Sequence, residues 1–170
     1  GYDPTLKVQL MVSKHYNNQV FNRWVRGRAD RYYFMRDLKQ YGDSLFISGS
    51  IPGVSPFPNQ PIYNTYIFIM NTNGDSILYK EFDSGLPDVT FSSEGIIKLG
   101  SEIWLAISWR RVTSNSVLDR KVCLLRLDSL GNEMARYIYG STATGLSQTV
   151  GSIDVNANNE IIIGAGQCQG

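Results

Sequence analysis

Few side chains in this sequence have a type and spacing that would carry chemistry. His15 is the only histidine in 170 residues, so the chain alone builds neither a histidine triad nor a multi-histidine metal site. It lies in Lys14-His15-Tyr16-Asn17-Asn18, a polar stretch that reads as an exposed turn. Asn71, Asn73 and Asp75 alternate as the oxygen ligands of a calcium loop do, but no bidentate glutamate follows to complete the shell. Side-chain hydrogen bonds to a turn backbone account for the same residues. Asp37, Asp43, Glu94, Glu102, Asp154 and Glu160 recur at similar places in a repeated pattern. Sugar hydrolysis needs two carboxyl groups about 5–9 Å apart. These six fall in separate copies of the pattern and read as polar turn residues. No metal and no cofactor is called for, and no catalytic residue is assigned.

The residues better suited to binding sit in two variable stretches. Residues 50–64 carry Pro52, Pro56, Pro58 and Pro61 with Phe57 and Tyr63, and residues 109–120 open on Trp109, Arg110 and Arg111. Proline lowers the entropy lost when a loop is ordered. An aromatic face beside a guanidinium suits a stacked sugar or a protein partner. Phe57, Tyr63, Trp109, Arg110 and Arg111 are therefore the expected ligand-binding residues, displayed by loops on one face of a rigid scaffold. The alternative is that the three aromatic side chains only cover sheet edges.

A repeat must supply that scaffold. Asn71-Thr72-Asn73-Gly74-Asp75 and Asp128-Ser129-Leu130-Gly131-Asn132 each separate two apolar alternating runs, and their glycines are 57 residues apart. Another 57 residues back lies Asn17, between the strand-like runs 8–13 and 20–25. Glycine and asparagine tolerate the positive φ of a tight hairpin loop. A second landmark keeps a 58-residue spacing: the runs beginning at Ser44, Glu102 and Glu160 open polar, become bulky and apolar, and close on small residues. This suits a strand buried on both faces, with small residues allowing close backbone approach at its end. Phe46, Trp104 and Ile162 occupy equivalent positions in it and are expected in the core. Weaker strand candidates precede it at 32–38, 95–99 and 150–155.

The unit is thus four antiparallel strands. It is complete over 28–83 and 84–139, and half-represented at 1–27 (strands three and four) and 140–166 (strands one and two). Repeats of this length with four short strands predict an all-β chain of β-propeller blades, with a β-sandwich or a solenoid as alternatives. The composition agrees with sheet: ten tyrosines, seven phenylalanines and three tryptophans, with 42% hydrophobic residues. A formal net charge of +1 gives no global attraction to nucleic acid, and no apolar run is long enough for a membrane span. Cys123, inside an apolar run, reads as a buried small hydrophobe.

The segment Leu127-Asp128-Ser129-Leu130-Gly131-Asn132, after an apolar strand and before Tyr137-Ile138-Tyr139-Gly140, resembles the repeat signature of propeller-like regions in secreted and surface proteins of Bacteroidetes. Asn158-Asn159-Glu160, leading into Ile161-Ile162-Ile163-Gly164, resembles its polar turn and following strand. The first repeat departs from it, with Asn71 in place of the aspartate. The resemblance implies an extracellular or cell-surface setting, and the aromatic and basic loops suggest a non-enzymatic module that binds protein or glycan. A fragment of an extracellular carbohydrate-active enzyme (glycoside hydrolase or lyase) and a structural or assembly component are the alternatives. Three periods are too few for an ordinary closed propeller. The missing strands are expected from another segment of a longer protein, from another chain or from a symmetry-related copy, unless the three sheets form some other fold. The opening Gly1, where an initiator methionine would stand, fits a processed product.

Overall fold

A computed structural model describes residues 10–16, 19–25, 32–114, 117–140 and 146–169. Twelve strands carry them: β1 Leu10–Tyr16, β2 Gln19–Val25, β3 Phe34–Tyr41, β4 Ser44–Pro52, β5 Tyr63–Asn71, β6 Ser76–Phe82, β7 Val89–Leu99, β8 Glu102–Val112, β9 Val117–Leu127, β10 Glu133–Tyr139, β11 Leu146–Val155 and β12 Ile161–Gln169. β3–β6 and β7–β10 each form a four-stranded antiparallel meander, while β1–β2 and β11–β12 are two-stranded. The all-β, four-stranded antiparallel expectation is met. Among the described residues no ladder joins one sheet to another, so the sheets do not close a ring.

The sheets stack in chain order. β7 packs against β3, β4 and β5 on one side and against β11 on the other. Between the two meanders lies the main core: Phe46, Ile67 and Ile69 from one sheet meet Phe91, Ile96, Leu105, Ile107, Trp109 and Leu125 from the other. A second layer joins Ile97, Ala106 and Leu124 to Val150 and Ile153 of β11. β4 and β8 are buried on both faces over most of their length, as their continuous apolar runs require. Phe46 is 5% exposed, and Trp104 is half-buried and stacked on Tyr137. Ile162, expected in the core with them, is 52% exposed, because no sheet among the described residues covers its face of β12. Gly49 lies within β4 where backbones approach: a Cβ there would strike the carbonyl oxygen of Phe34 and lie 2.7 Å from the Tyr66 ring.

The shared turn has a clear mechanism. In 128–132 the amide of Gly131 donates to the Asp128 carbonyl at 3.0 Å, with Gly131 at φ 72°. The Asp128 carboxylate accepts from the amides of Leu130 and Asn132 at 2.9 and 2.8 Å. Residues 71–75 repeat this, with Asn71 Oδ1 accepting from the Asp75 amide at 2.8 Å. The third copy is at 156–160, where Asn156 Oδ1 accepts from Asn158 and Glu160 and Asn159 takes φ 61°. The copy expected at 14–18 falls partly outside the described residues. There, β1 and β2 pair directly up to Tyr16 and Gln19, so His15 is a strand residue, while Asn17 and Asn18 lie outside the described residues.

One feature of the repeat has no sequence signature. In the three sheets that begin at β3, β7 and β11, the first strand slips register against the second at one place: between Met35 and Asp37, between Ser93 and Gly95, and between Val150 and Ser152. The extra residues Arg36, Glu94 and Gly151 recur at nearly the repeat spacing. Such β-bulges bend a strand and re-aim its side chains. Beside the second, the Ile96 amide donates to Asp37 Oδ2, 3.0 Å away on the preceding sheet.

Two outcomes are expected. Leu105→Ala, at a fully buried position, costs about 2–5 kcal/mol in denaturant unfolding, and Ile138→Ala, half-exposed on β10, stays within about 0.5 kcal/mol. Equal losses would show that the core is not where we place it. The second concerns acid. Hydrogen bonds from Asn132 hold the Asp128 carboxyl below its ordinary range, and those from Arg126 hold Glu102 below its own. A lowered carboxyl contributes stability that is present above its unfolded value of about 4 and is lost as pH falls through the folded value. Asp128→Asn is therefore expected to flatten the acid limb of a plot of Tm against pH.

Candidate functional site

A cleft of about 270 Å³ opens at the end of the seam between the two meanders. Each wall follows from the elements around it. Phe34 and Arg36 come from β3, the arginine from its bulge. Tyr63 opens β5, and Gln60 and Pro61 come from the loop before it. Thr90 and Ser92 belong to β7, and Arg110 and Val112 to β8.

The floor is built from buried hydroxyl groups. Ser50 and Ser92, each 2% exposed, share a hydrogen bond of 2.6 Å across the two sheets. Next to them Ser93 and Ser48 are joined at 2.9 Å, and the Thr65 hydroxyl donates to the Phe91 carbonyl at 2.7 Å. The walls are aromatic and cationic. The Phe34 and Tyr63 rings meet edge to face with centroids 5.7 Å apart. Arg110 faces the carboxylate of the bulged Glu94 at 3.9 Å, too long for a hydrogen bond, and its Nε is buried without a partner. Arg36 is exposed and makes no hydrogen bond or ion pair among the described residues. Two guanidinium groups thus share one cleft with one carboxylate beside it.

The five sequence-expected residues separate. Tyr63 and Arg110 are brought together in the cleft. Phe57 is half-buried in the proline loop, which now spans 53–62 and is held by Ser55, whose hydroxyl accepts from the Phe57 amide at 3.1 Å. The loop expected over 109–120 is mostly strand, because the alternation from Trp109 to Val112 continues β8. Trp109 is 7% exposed in the core with the Lys121 ammonium 5.1 Å from its ring centroid. Arg111 is paired with Asp88 at 2.7 Å outside the cleft. Sequence reasoning missed Phe34 and Arg36, which lie in a strand that looked merely weak.

Four of the six acids considered for sugar hydrolysis are engaged one by one. Asp37 accepts from backbone amides on two strands, Glu102 pairs with Arg126, Asp154 accepts from Val155, and Glu160 from Asn156. Among the described residues no group of three His, Cys, Asp or Glu is placed to hold a metal ion, and no helix is long and apolar enough to cross a membrane. Burial pushes the Cys123 thiol up to about 12, which keeps it protonated at neutral pH. Compared with known proteins, the chain matches no family model, and no curated protein is significantly similar to it.

The paired serines make a sharp prediction. Ser50→Ala leaves the Ser92 hydroxyl buried and unpaired and is expected to cost about 1–3 kcal/mol, whereas Ser50→Ala with Ser92→Ala recovers much of that loss. Unfolding titrations of the two singles and the double measure this, and additive losses would deny the bond.

Proposed function

We propose that the chain is a non-enzymatic module of propeller-type blades that binds an acidic glycan in the cleft between its two complete sheets. The observation that carries this reading is cation beside aromatic surface: Arg110, whose Nε is buried without a hydrogen-bond partner and whose guanidinium stands 3.9 Å from the Glu94 carboxylate, and Arg36, which has no partner among the described residues, beside Tyr63 and Phe34. A guanidinium is a rigid fork of donors that fits a carboxylate in two parallel bonds. A sugar ring carrying that carboxylate lies against an aromatic face, and Gln60 and Thr90 offer hydrogen bonds to its hydroxyl groups. The stacking of successive sheets about β7 supports the propeller reading, and its missing strands come from another segment, another chain or another copy. The proposed setting is extracellular or at the cell surface, supported by the resemblance of the 127–132 motif to repeats of Bacteroidetes surface proteins. A protein ligand with an acidic side chain is the competing form of the same site.

Calorimetry with an oligogalacturonate and its methyl ester tests this. The acid is expected to bind at least ten times more tightly than the ester, a difference of about 1.4 kcal/mol. Tyr63→Ala and Arg110→Ala should each weaken it by a similar factor, while Arg111→Ala leaves it unchanged. Equal affinity for acid and ester would end the acidic-glycan reading, and binding of an acidic peptide alone would move the site to a protein ligand.

A further inference from the structure

We infer that the cleft takes the end of an acidic glycan chain, one terminal sugar deep, and not an internal stretch of it. The inference rests on the acidic-glycan reading above and adds which part of the chain is recognised.

Among the described residues the cleft is a pit and not a trough. Its lining grades from exposed Phe34, Arg36 and Pro61 at the mouth to Ser50 and Ser92 at the floor, each 2% exposed. Phe34 and Tyr63 wall it on the first complete sheet, and Thr90 and Arg110 on the second. The loop carrying Gln60 and Pro61 crosses from one sheet to the other, where the Thr90 hydroxyl donates to the Pro61 carbonyl at 3.4 Å. That loop is also held within itself. The Gly53 amide donates to the Ile62 carbonyl at 2.8 Å across its neck, and the Gln60 amide to the Phe57 carbonyl at 3.2 Å. Pinned in this way, it holds one side of the cleft shut against a chain running through. The volume, about 270 Å³, lies just below the usual range of small-molecule sites, about 300–1,000 Å³, and suits a single sugar.

The floor selects what enters first. Ser50 and Ser92 share one hydrogen bond, which uses one hydroxyl hydrogen and leaves the other without an acceptor among the described residues. Arg36 and Arg110 add only donors, since a guanidinium accepts nothing. The Glu94 carboxylate stands beside Arg110 but outside the lining. The cleft is therefore rich in donors, and a carboxylate, which only accepts, answers them. An internal sugar is bonded to a neighbour on either side and would have to pass through a wall to bring its carboxylate to this floor. A terminal sugar has one neighbour, which leaves by the mouth.

Calorimetry with D-galacturonic acid, its dimer and its trimer tests this, with light scattering of the protein on long polygalacturonate. The three short acids are expected to bind within about threefold of one another, a difference below 1 kcal/mol on the tenfold-per-1.4 kcal/mol scale. A long chain is expected to carry one protein molecule whatever its length. Affinity that rises about tenfold with each added sugar, or protein bound in proportion to polymer length, overturns end recognition while the preference for acid over methyl ester still stands. Equal affinity for acid and ester, or binding of neither, removes the acidic-glycan reading itself and this inference with it. Ser50→Ala with Ser92→Ala, which leaves no unpaired hydroxyl in the seam, is expected to weaken the monosaccharide about tenfold by removing the spare donor. Unchanged affinity in that variant overturns the floor as the receiving group.

Discussion

The interaction on which the rest depends is the hydroxyl seam where β7 crosses the face of β4. The sheet that holds β7 has a sheet on either side, and its Ser92 and Ser93 are buried. Ser92 and Ser93 meet this by bonding to Ser50 and Ser48 on the facing sheet. Apolar packing is non-directional and would tolerate several ways of sliding one sheet over the other. Paired hydroxyls do not, since a one-residue slip strands several buried donors at about 1–3 kcal/mol each. Ile96 and Asp37 fix the same setting through a backbone amide. The cleft inherits its shape from this seam, with the Ser50–Ser92 bond as its floor.

What was legible in the sequence is what depends on side-chain type. The turns at 71–75 and 128–132 need a residue at ease with positive φ and an amide or acid to bond the loop backbone, and both leave a mark. The third turn, at 156–160, uses the same acceptor chemistry, but Asn159 replaces glycine and the turn joins a different pair of strands. A search keyed on glycine spacing therefore does not reach it. The bulges at Arg36, Glu94 and Gly151 leave no mark at all, because a bulge is a count of backbone residues and accepts a cation, an acid or a glycine equally.

The site was half legible for a related reason. Tyr63 and Arg110 were found from loops rich in aromatic and basic residues, yet the reading grouped Trp109 with Arg110 as neighbours on one surface. In a strand, consecutive side chains point to opposite faces. β8 continues through both, and so Trp109 enters the core while Arg110 reaches the cleft. Phe34 and Arg36 lie far from them in sequence and arrive only through the stacking of one sheet on the next.

Burial itself belongs to the neighbours of a residue and not to the residue. Phe46 and Ile162 sit at the same place in the repeat and are 5% and 52% exposed. Ile161 and Ile163 of β12 turn inward against the preceding sheet, and Ile162, between them, turns to the face on which the next sheet would lie. A strand with apolar residues on both faces is the pattern of an interior sheet. β12 therefore has the composition of an interior strand and the surroundings of a terminal one, a mismatch that its own side chains cannot remove.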